Sequence, residues 1–264
     1  MSVIKNKQFV VNKSRVRLLS YNIQVGIAST RPHHYVTQSW KHVFPHGKHR
    51  QNLDQIADIV SDYDIVGLQE VDGGSRRSEF INQTEYLAVK AKFPFWSHQT
   101  NRRLGNIAQH SNGLLSQFDP LDIVDHKLPG PVPGRGAMVV RFGEESNPMI
   151  VVLLHLALGR KARLTQMNYI SQLVHEYEHV VVMGDMNCQP ESEEFQALLE
   201  KAGLTAPACD LHTFPSWKPS KRLDHILVSP SLLVENVCVV DVACSDHLPI
   251  SMDIVIPDAI QLVA

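Results

Sequence analysis

What most constrains this chain is a series of short aliphatic and β-branched runs, each bounded by turn residues, at 16–21, 64–69, 121–126, 137–142, 149–156, 180–184, 223–228, 234–240 and 248–256. Runs of that length and composition predict strands. Helical spacing separates only some of them. Leu53, Ile56, Ala57, Ile59 and Val60 share one face within 50–61, and Leu164, Met167, Ile170, Leu173, Val174 and Tyr177 fall at three- and four-residue steps within 160–177. A third helix is expected over 191–201, with Pro190 before it, acidic residues in its first turn and Gly203 just past its end. Most strands therefore run directly into another strand, which favours an α+β layered fold with two sheets over a doubly wound parallel sheet. At 44% apolar and 20% charged residues the chain can build a sizeable core. No linker, low-complexity block or repeat divides it, so one domain over 1–264 is expected, its core spanning about 16–256. Two stretches, 24–48 and 206–222, stay irregular, and loops that long are usually functional or mobile.

No apolar run approaches the ~20 residues that cross a bilayer, and the first residues lack the apolar core of a signal peptide. Cys188, Cys209, Cys238 and Cys244 show no CxxC spacing and read as reduced thiols, so a cytoplasmic protein without a transmembrane segment is expected. A formal net charge of −2 argues against a strongly basic nucleic-acid binder, although a local basic patch could sit inside it. Histidine is abundant, at 14 residues, which raises the question of a metal site. The loop cluster His33, His34, His42, His46 and His49 has no recognised ligand spacing and no cysteine nearby; it reads as a polar loop over a cleft, with Trp40 and Phe44 lining a substrate or pinning the loop.

The chemical signal is positional. Most runs end on a polar group for which a strand has no structural use: Asn22, Gln69-Glu70, His155 and Gly184-Asp185-Met186-Asn187; Asp224-His225 opens one run and Ser245-Asp246-His247 precedes the last. Taken singly, each reads as a turn or cap residue, or as a satisfied structural histidine. Together they point to one cleft if the strands converge at one edge. Oxygen donors from Glu70, Asp246 and Asn22 would suit a hard cation such as Mg²⁺, and no thiolate is placed to favour zinc.

The segments SYNIQ, LQEVD, HLALG, GDMN, LDHI and SDHLP resemble, in order and spacing, the endonuclease/exonuclease/phosphatase superfamily, over about 16–256. That resemblance implies a four-layer αββα sandwich of two mostly antiparallel sheets and a Mg²⁺- or Mn²⁺-dependent phosphoesterase. It implies Glu70 as principal metal carboxylate, with Asn22 beside it and Asp246 completing the shell. Asp185 would position or deprotonate the attacking water, Asn187 would donate its amide to phosphate, and His247 would face the scissile phosphate with its tautomer set by Asp224. His155, shared with the deoxyribonuclease I and sphingomyelinase branches, would contact phosphate or protonate the leaving group; its alternative is a core-edge imidazole bonded to a carbonyl. Asn112 and Arg135 are weaker substrate-binding candidates. Arg160, Lys161 and Arg163 open a helix where cations oppose the dipole, which reads as a solvated basic turn unless a phosphate lies near, and Arg102 and Arg103 have the same ambiguity. The favoured substrate is a small-molecule or lipid-headgroup phosphoester; nucleic acid is the alternative partner, and a non-catalytic binding module is disfavoured by the intact residue set.

Overall fold

Strands with no polar face must be covered on both sides, and the strands at the middle of each sheet are of that kind. In the computed structural model, which describes residues 10–11, 14–27, 49–131, 133–207 and 211–264, the chain runs β1 (Val10–Val11), β2 (Arg15–Asn22), α1 (His49–Val60), β3 (Ile65–Asp72), α2 (Gln83–Ala91), β4 (Phe95–Leu104) and β5 (Ala108–Ser116). It continues through β6 (Asp122–Lys127), β7 (Gly136–Glu144), β8 (Asn147–His155), α3 (Arg160–Val174), β9 (His179–Asp185) and α4 (Glu193–Ala202). The last elements are β10 (Asp224–Val228), β11 (Leu233–Val239), β12 (Ile250–Val255) and β13 (Leu262–Val263).

One sheet has six strands in the order β11-β12-β2-β3-β5-β4, another five in the order β10-β9-β8-β7-β6, and β1 pairs with β13. Both large sheets are mostly antiparallel, as expected, with one parallel pair each, β2 with β3 and β8 with β9. Period-two alternation sorts the layers. Along β8, Met149, Val151 and Leu153 face the other sheet and meet Val16, Leu18, Ile65 and Leu114, whereas Ile150, Val152 and Leu154 face Met167, Ile170 and Val174 of α3 and Phe195 and Leu198 of α4. On the far side Leu19, Tyr21, Val66 and Leu68 pack on Leu53, Ile56 and Val60 of α1 and Leu87 of α2. The result is the αββα sandwich that the strand-rich pattern and its family resemblance imply. No helix among the described residues is long and apolar enough to cross a membrane.

The hairpin β4–β5 and helix α2 were not visible in the apolar pattern. β4 is an edge strand of sequence FWSHQTNRRL, half exposed, and β5 carries Gln109, Ser111 and Asn112 at buried positions. A polar residue facing inward breaks the alternation by which a strand is recognised. α2 shows the core little more than Leu87, Ala88 and Ala91, and Asn82 starts it by accepting from the backbone amides of Thr84 and Glu85.

The two parallel pairs decide where polar strand ends meet. A parallel return needs a crossover, so both members of a pair finish at the same edge. Asn22 thus stands opposite Gln69 and His155 opposite Asp185, while antiparallel β10 begins with Asp224 opposite Asp185. Close backbone approach makes this possible at Gly184, which pairs with Leu154 at φ 150°; a Cβ there would lie 1.9 Å from the Leu154 carbonyl oxygen. Gly184→Ala is therefore expected to cost about 3 kcal/mol, which lowers the melting temperature by roughly 6–12 °C for a chain of this size; calorimetric melting of the variant against wild type measures it.

Candidate active site

The carboxylates are brought together by local backbone exceptions. A bulge between Leu68 and Val71 puts Glu70 at φ 56°, turning its side chain out of the strand alternation. Asn22, the last residue of β2, donates Nδ2 to Glu70 Oε1 at 3.3 Å and to Asp185 Oδ2 at 3.1 Å, joining a carboxylate of its own sheet to one of the other. Asp246 accepts from Gln24 Nε2 at 3.1 Å and from Ser245 Oγ at 3.2 Å. Gln24 belongs to a left-handed turn, with φ 45° at Gln24 and 56° at Val25, a β-branched residue in a conformation it normally avoids. That turn is clamped at the Val25 carbonyl, which accepts from Gln83 Nε2 at 2.8 Å and lies 2.6 Å from His49 Nε2.

Three further groups surround Asp185. His155 Nε2 lies 3.4 Å and His247 Nε2 3.9 Å from its Oδ2, and the Asn187 backbone amide donates to its Oδ1 at 2.9 Å. His247 Nδ1 bonds Asp224 Oδ2 at 2.7 Å, an oxygen that also accepts from Thr213 Oγ1 at 2.5 Å; Phe214 packs on the His247 ring with centroids 4.8 Å apart. Asp224 Oδ1 is buried without a partner.

These contacts fix the charges. Burial works against the His247 cation, but Asp224, Asp185 and Asp246 overcome it and push its pKa up to about 10. Burial likewise raises Asp185 to about 7, with Asp224 adding to the rise and His247 and Asn22 opposing it. Burial, then Asp246, raises Glu70 against the pull of His247, Asn22 and Arg135. His155 is driven well below the usual imidazole range by burial, with Arg135 and His247 repelling its cation. Among the described residues, the buried carboxylates Asp185, Asp224 and Asp246 and the half-buried Glu70 thus share their surroundings with the cations His247 and Arg135. A cluster of carboxylate oxygens of this kind suits a divalent cation.

The structure brings Asn22, Glu70, Asp185, Asp224, Asp246 and His247 together with His155, and Arg135 and Asn112 line the adjoining cleft beside Glu70. Four details differ from the sequence reading. Asn22 turns its amide nitrogen, not its oxygen, to the carboxylates, and its Oδ1 accepts from the Gln24 amide at 3.1 Å. Asn187 does not extend along the Asp185 strand: φ is 54°, and Nδ2 donates to the Leu156 carbonyl at 3.0 Å, so that bond to phosphate is not preformed. Asn112 spends Nδ2 on the Gly136 carbonyl at 3.1 Å, leaving a buried Oδ1 without a partner. The basic start of α3 is answered by protein: Arg160 pairs with Glu193, and Arg163 with Glu194 at 2.8 Å, both acids from the first turn of α4. Asp185, Asp224 and His247 also offer ligand atoms within 4.8 Å of one another, a possible acidic/His metal site. Because His247 is an imidazolium donating Nδ1–H to Asp224, that trio is better read as a hydrogen-bonded set than as a ligand set.

Of the loop histidines only His49 falls within the described residues, where it is a buried turn clamp; His33, His34, His42, His46, Trp40 and Phe44 lie outside them. Cys209 also lies outside, and Cys188, Cys238 and Cys244 are free thiols. His225 points away from the site, its Nε2 3.0 Å from the Cys188 carbonyl and its ring on Phe195. Sequence reasoning missed Gln24, Thr213, Phe214 and His110. The first three sit in stretches without periodicity, and His110 lies on the unrecognised β5.

The pattern described as the Endonuclease/Exonuclease/phosphatase family matches residues 19–247. No curated protein matches the sequence. Among solved structures, an endonuclease/exonuclease/phosphatase from Beutenbergia cavernae superposes with TM-score 0.72 at 18% identity, covering 92% of this chain and 72% of that one. A mannosyl-6-phosphatase from Bacteroides thetaiotaomicron gives 0.67 at 19% identity, covering 91% and 99%. The human Nocturnin catalytic domain with bound sulfate gives 0.68 at 16%, covering 94% and 97%. At such identities the likeness is one of fold.

The His247–Asp224 pair has a direct signature. In metal-free protein the His247 ring resonances should not titrate between about pH 5.5 and 8.5, and Asp224→Asn should lower the midpoint by more than about one unit; a wild-type midpoint at the ordinary 6.5 contradicts the assignment. Because the folded value lies above the unfolded one, the pair's contribution to stability is full below pH 6.5 and fades as pH rises toward 10.

Proposed function

The chain belongs to the endonuclease/exonuclease/phosphatase family, and on that premise we propose that it is a Mg²⁺- or Mn²⁺-dependent phosphoric ester hydrolase acting by activated-water attack. Members of this family are generally hydrolases of phosphoesters and typically need a divalent metal. The observation that carries the reading is the position of Asp185, a carboxylate raised to about 7 and flanked by the Asn22 amide, His155 and the His247 imidazolium.

Phosphoester hydrolysis needs an activated water, compensation for charge on the phosphoryl oxygens, and departure of the leaving oxygen. Glu70 and Asp246 are the oxygen donors that would hold the cation, and a bound Mg²⁺ or Mn²⁺ supplies Lewis-acid charge at the phosphoryl group and makes water more acidic. Asp185, poised near neutrality, takes the proton of the attacking water at a carboxylate oxygen. His247, with Nδ1–H given to Asp224, offers Nε2–H to a phosphoryl oxygen. Arg135 adds a guanidinium to the same charge, its carbonyl tied to the Leu128 amide at 3.0 Å. His155, kept neutral, contacts phosphate by hydrogen bonding; a ring already deprotonated brings no proton to the leaving group.

One observation favours a small substrate over duplex DNA. The cleft beside Glu70 holds about 440 Å³, within the range of small-molecule sites. The basic side chains that line it are Arg102 and Arg135, while Arg160, Arg163 and Arg222 lie outside it and are paired with Glu193, Glu194 and Glu191.

With Mg²⁺ or Mn²⁺ the protein should hydrolyse phenyl phosphate or bis-p-nitrophenyl phosphate. Chelation should abolish the activity, and Asp185→Asn should lower kcat by about 10²–10⁴-fold. Equal rates for wild type and variant across a panel of phosphoesters would falsify the hydrolase reading, and Asp185-dependent nicking of plasmid would move the substrate to DNA. Glu70→Gln should weaken Mg²⁺ binding by about tenfold or more in calorimetry; unchanged affinity removes Glu70 from the metal site.

A further inference from the structure

The cleft that receives the phosphoryl group has a second, apolar wall. Its polar groups come from strand ends, but Pro131, Pro133, Ala157, Leu158 and Ala162 also line it. These five belong to two neighbouring segments, the turn before β7 and the passage from β8 into α3. The segments touch, since a Cβ on Gly130 would stand 3.8 Å from that of Ala162. Leu158 is the odd member, with 75% of its surface exposed.

One exposed leucine needs no explanation, but this one is held in place. Its carbonyl accepts from Arg163 Nη1, Arg163 is fixed by Glu194 at 2.8 Å, and the Ala157 amide donates to Gln166 Oε1 at 2.9 Å. The two prolines have fixed φ, and the stem of Arg102 lies against Gly134, whose Cβ position is 3.0 Å from that of Arg102. The backbone that carries Leu158 is therefore held by the protein's own bonds before any ligand arrives.

Resting on the phosphoesterase reading above, we propose that this wall binds the alcohol part of the ester and selects a compact phosphoester with an aryl or branched-alkyl alcohol. A polyhydroxylated alcohol laid on proline and leucine would lose water from its hydroxyls without gaining partners, whereas an apolar body loses only unfavourable hydration. Leu158 and its neighbours are specificity-determining; they contact the alcohol and leave the reacting atoms to the strand ends.

The test uses probes that cannot be hydrolysed. In calorimetry with Mg²⁺ present, phenylphosphonate should bind at least about tenfold more tightly than methylphosphonate. Leu158→Asn should remove most of that advantage and Leu158→Ala part of it, read as the ratio of phenylphosphonate to methylphosphonate affinity. In kinetics, KM should be lower for isobutyl phosphate than for glycerol 1-phosphate, two alkyl esters that lack the better leaving group of a phenyl ester. Equal affinity for the two phosphonates, a full phenyl preference in both Leu158 variants, or tighter binding of a single-stranded oligonucleotide than of phenylphosphonate overturns the proposal. Hydrolysis without phenyl preference defeats the wall and spares the hydrolase. Phenyl preference in a protein that hydrolyses nothing supports the wall and defeats the hydrolase.

Discussion

A charge imbalance at one edge of the sandwich governs the rest of the structure. Among the described residues, Glu70, Asp185, Asp224 and Asp246 are packed beside the cations His247 and Arg135, in a place where water solvates them poorly. Unrelieved burial of charge is costly, and the relief appears in the surrounding bonds. Asn22 turns its nitrogen to two carboxylates, Thr213 and His247 share one oxygen of Asp224, and Gln24 and Ser245 bond Asp246. The carboxylate oxygens of Glu70 and Asp246 are the hard donors that suit a divalent cation.

The sandwich holds that imbalance in place. Each large sheet contributes one parallel pair, and parallel pairing brings two strand ends to the same edge. The layers behind them are filled with aliphatic side chains that offset local strain at Glu70, Gln24 and Val25, all at positive φ. Asn187, beside Asp185, also has positive φ, while Glu79, Phe80 and Lys92 adopt it away from the site. The bulge at Glu70 turns a metal-type donor toward the site, and the left-handed turn at Gln24 brings an amide onto Asp246.

Legibility in the sequence followed periodicity. The strands of the aliphatic core and helices α1, α3 and α4 were readable because their side chains alternate, or recur at helical steps, against apolar neighbours. The hairpin β4–β5 was not, since Gln99, Ser111 and Asn112 are polar at buried positions, the last two along the cleft. The polar strand ends Asn22, Glu70, His155 and Asp185 stood out because a strand gives such residues no role. Thr213 and Phe214 carry no such signal: their importance lies in contact with Asp224 and His247, and the stretch before β10 has no pattern that places them there. Asn187 marks the limit of reading spacing as geometry, because two residues share a face only while the backbone stays extended.

The most direct measurement is anomalous diffraction at the manganese edge from crystals of the wild-type protein soaked in Mn²⁺. The account predicts a peak at the sheet edge within bonding distance of Glu70 and Asp246 carboxylate oxygens, with Asn22 still turned nitrogen-first to Glu70 and Asp185. A peak confined to other surface carboxylates, or ordered Mn²⁺ nowhere near Glu70 at saturating concentration, would contradict it.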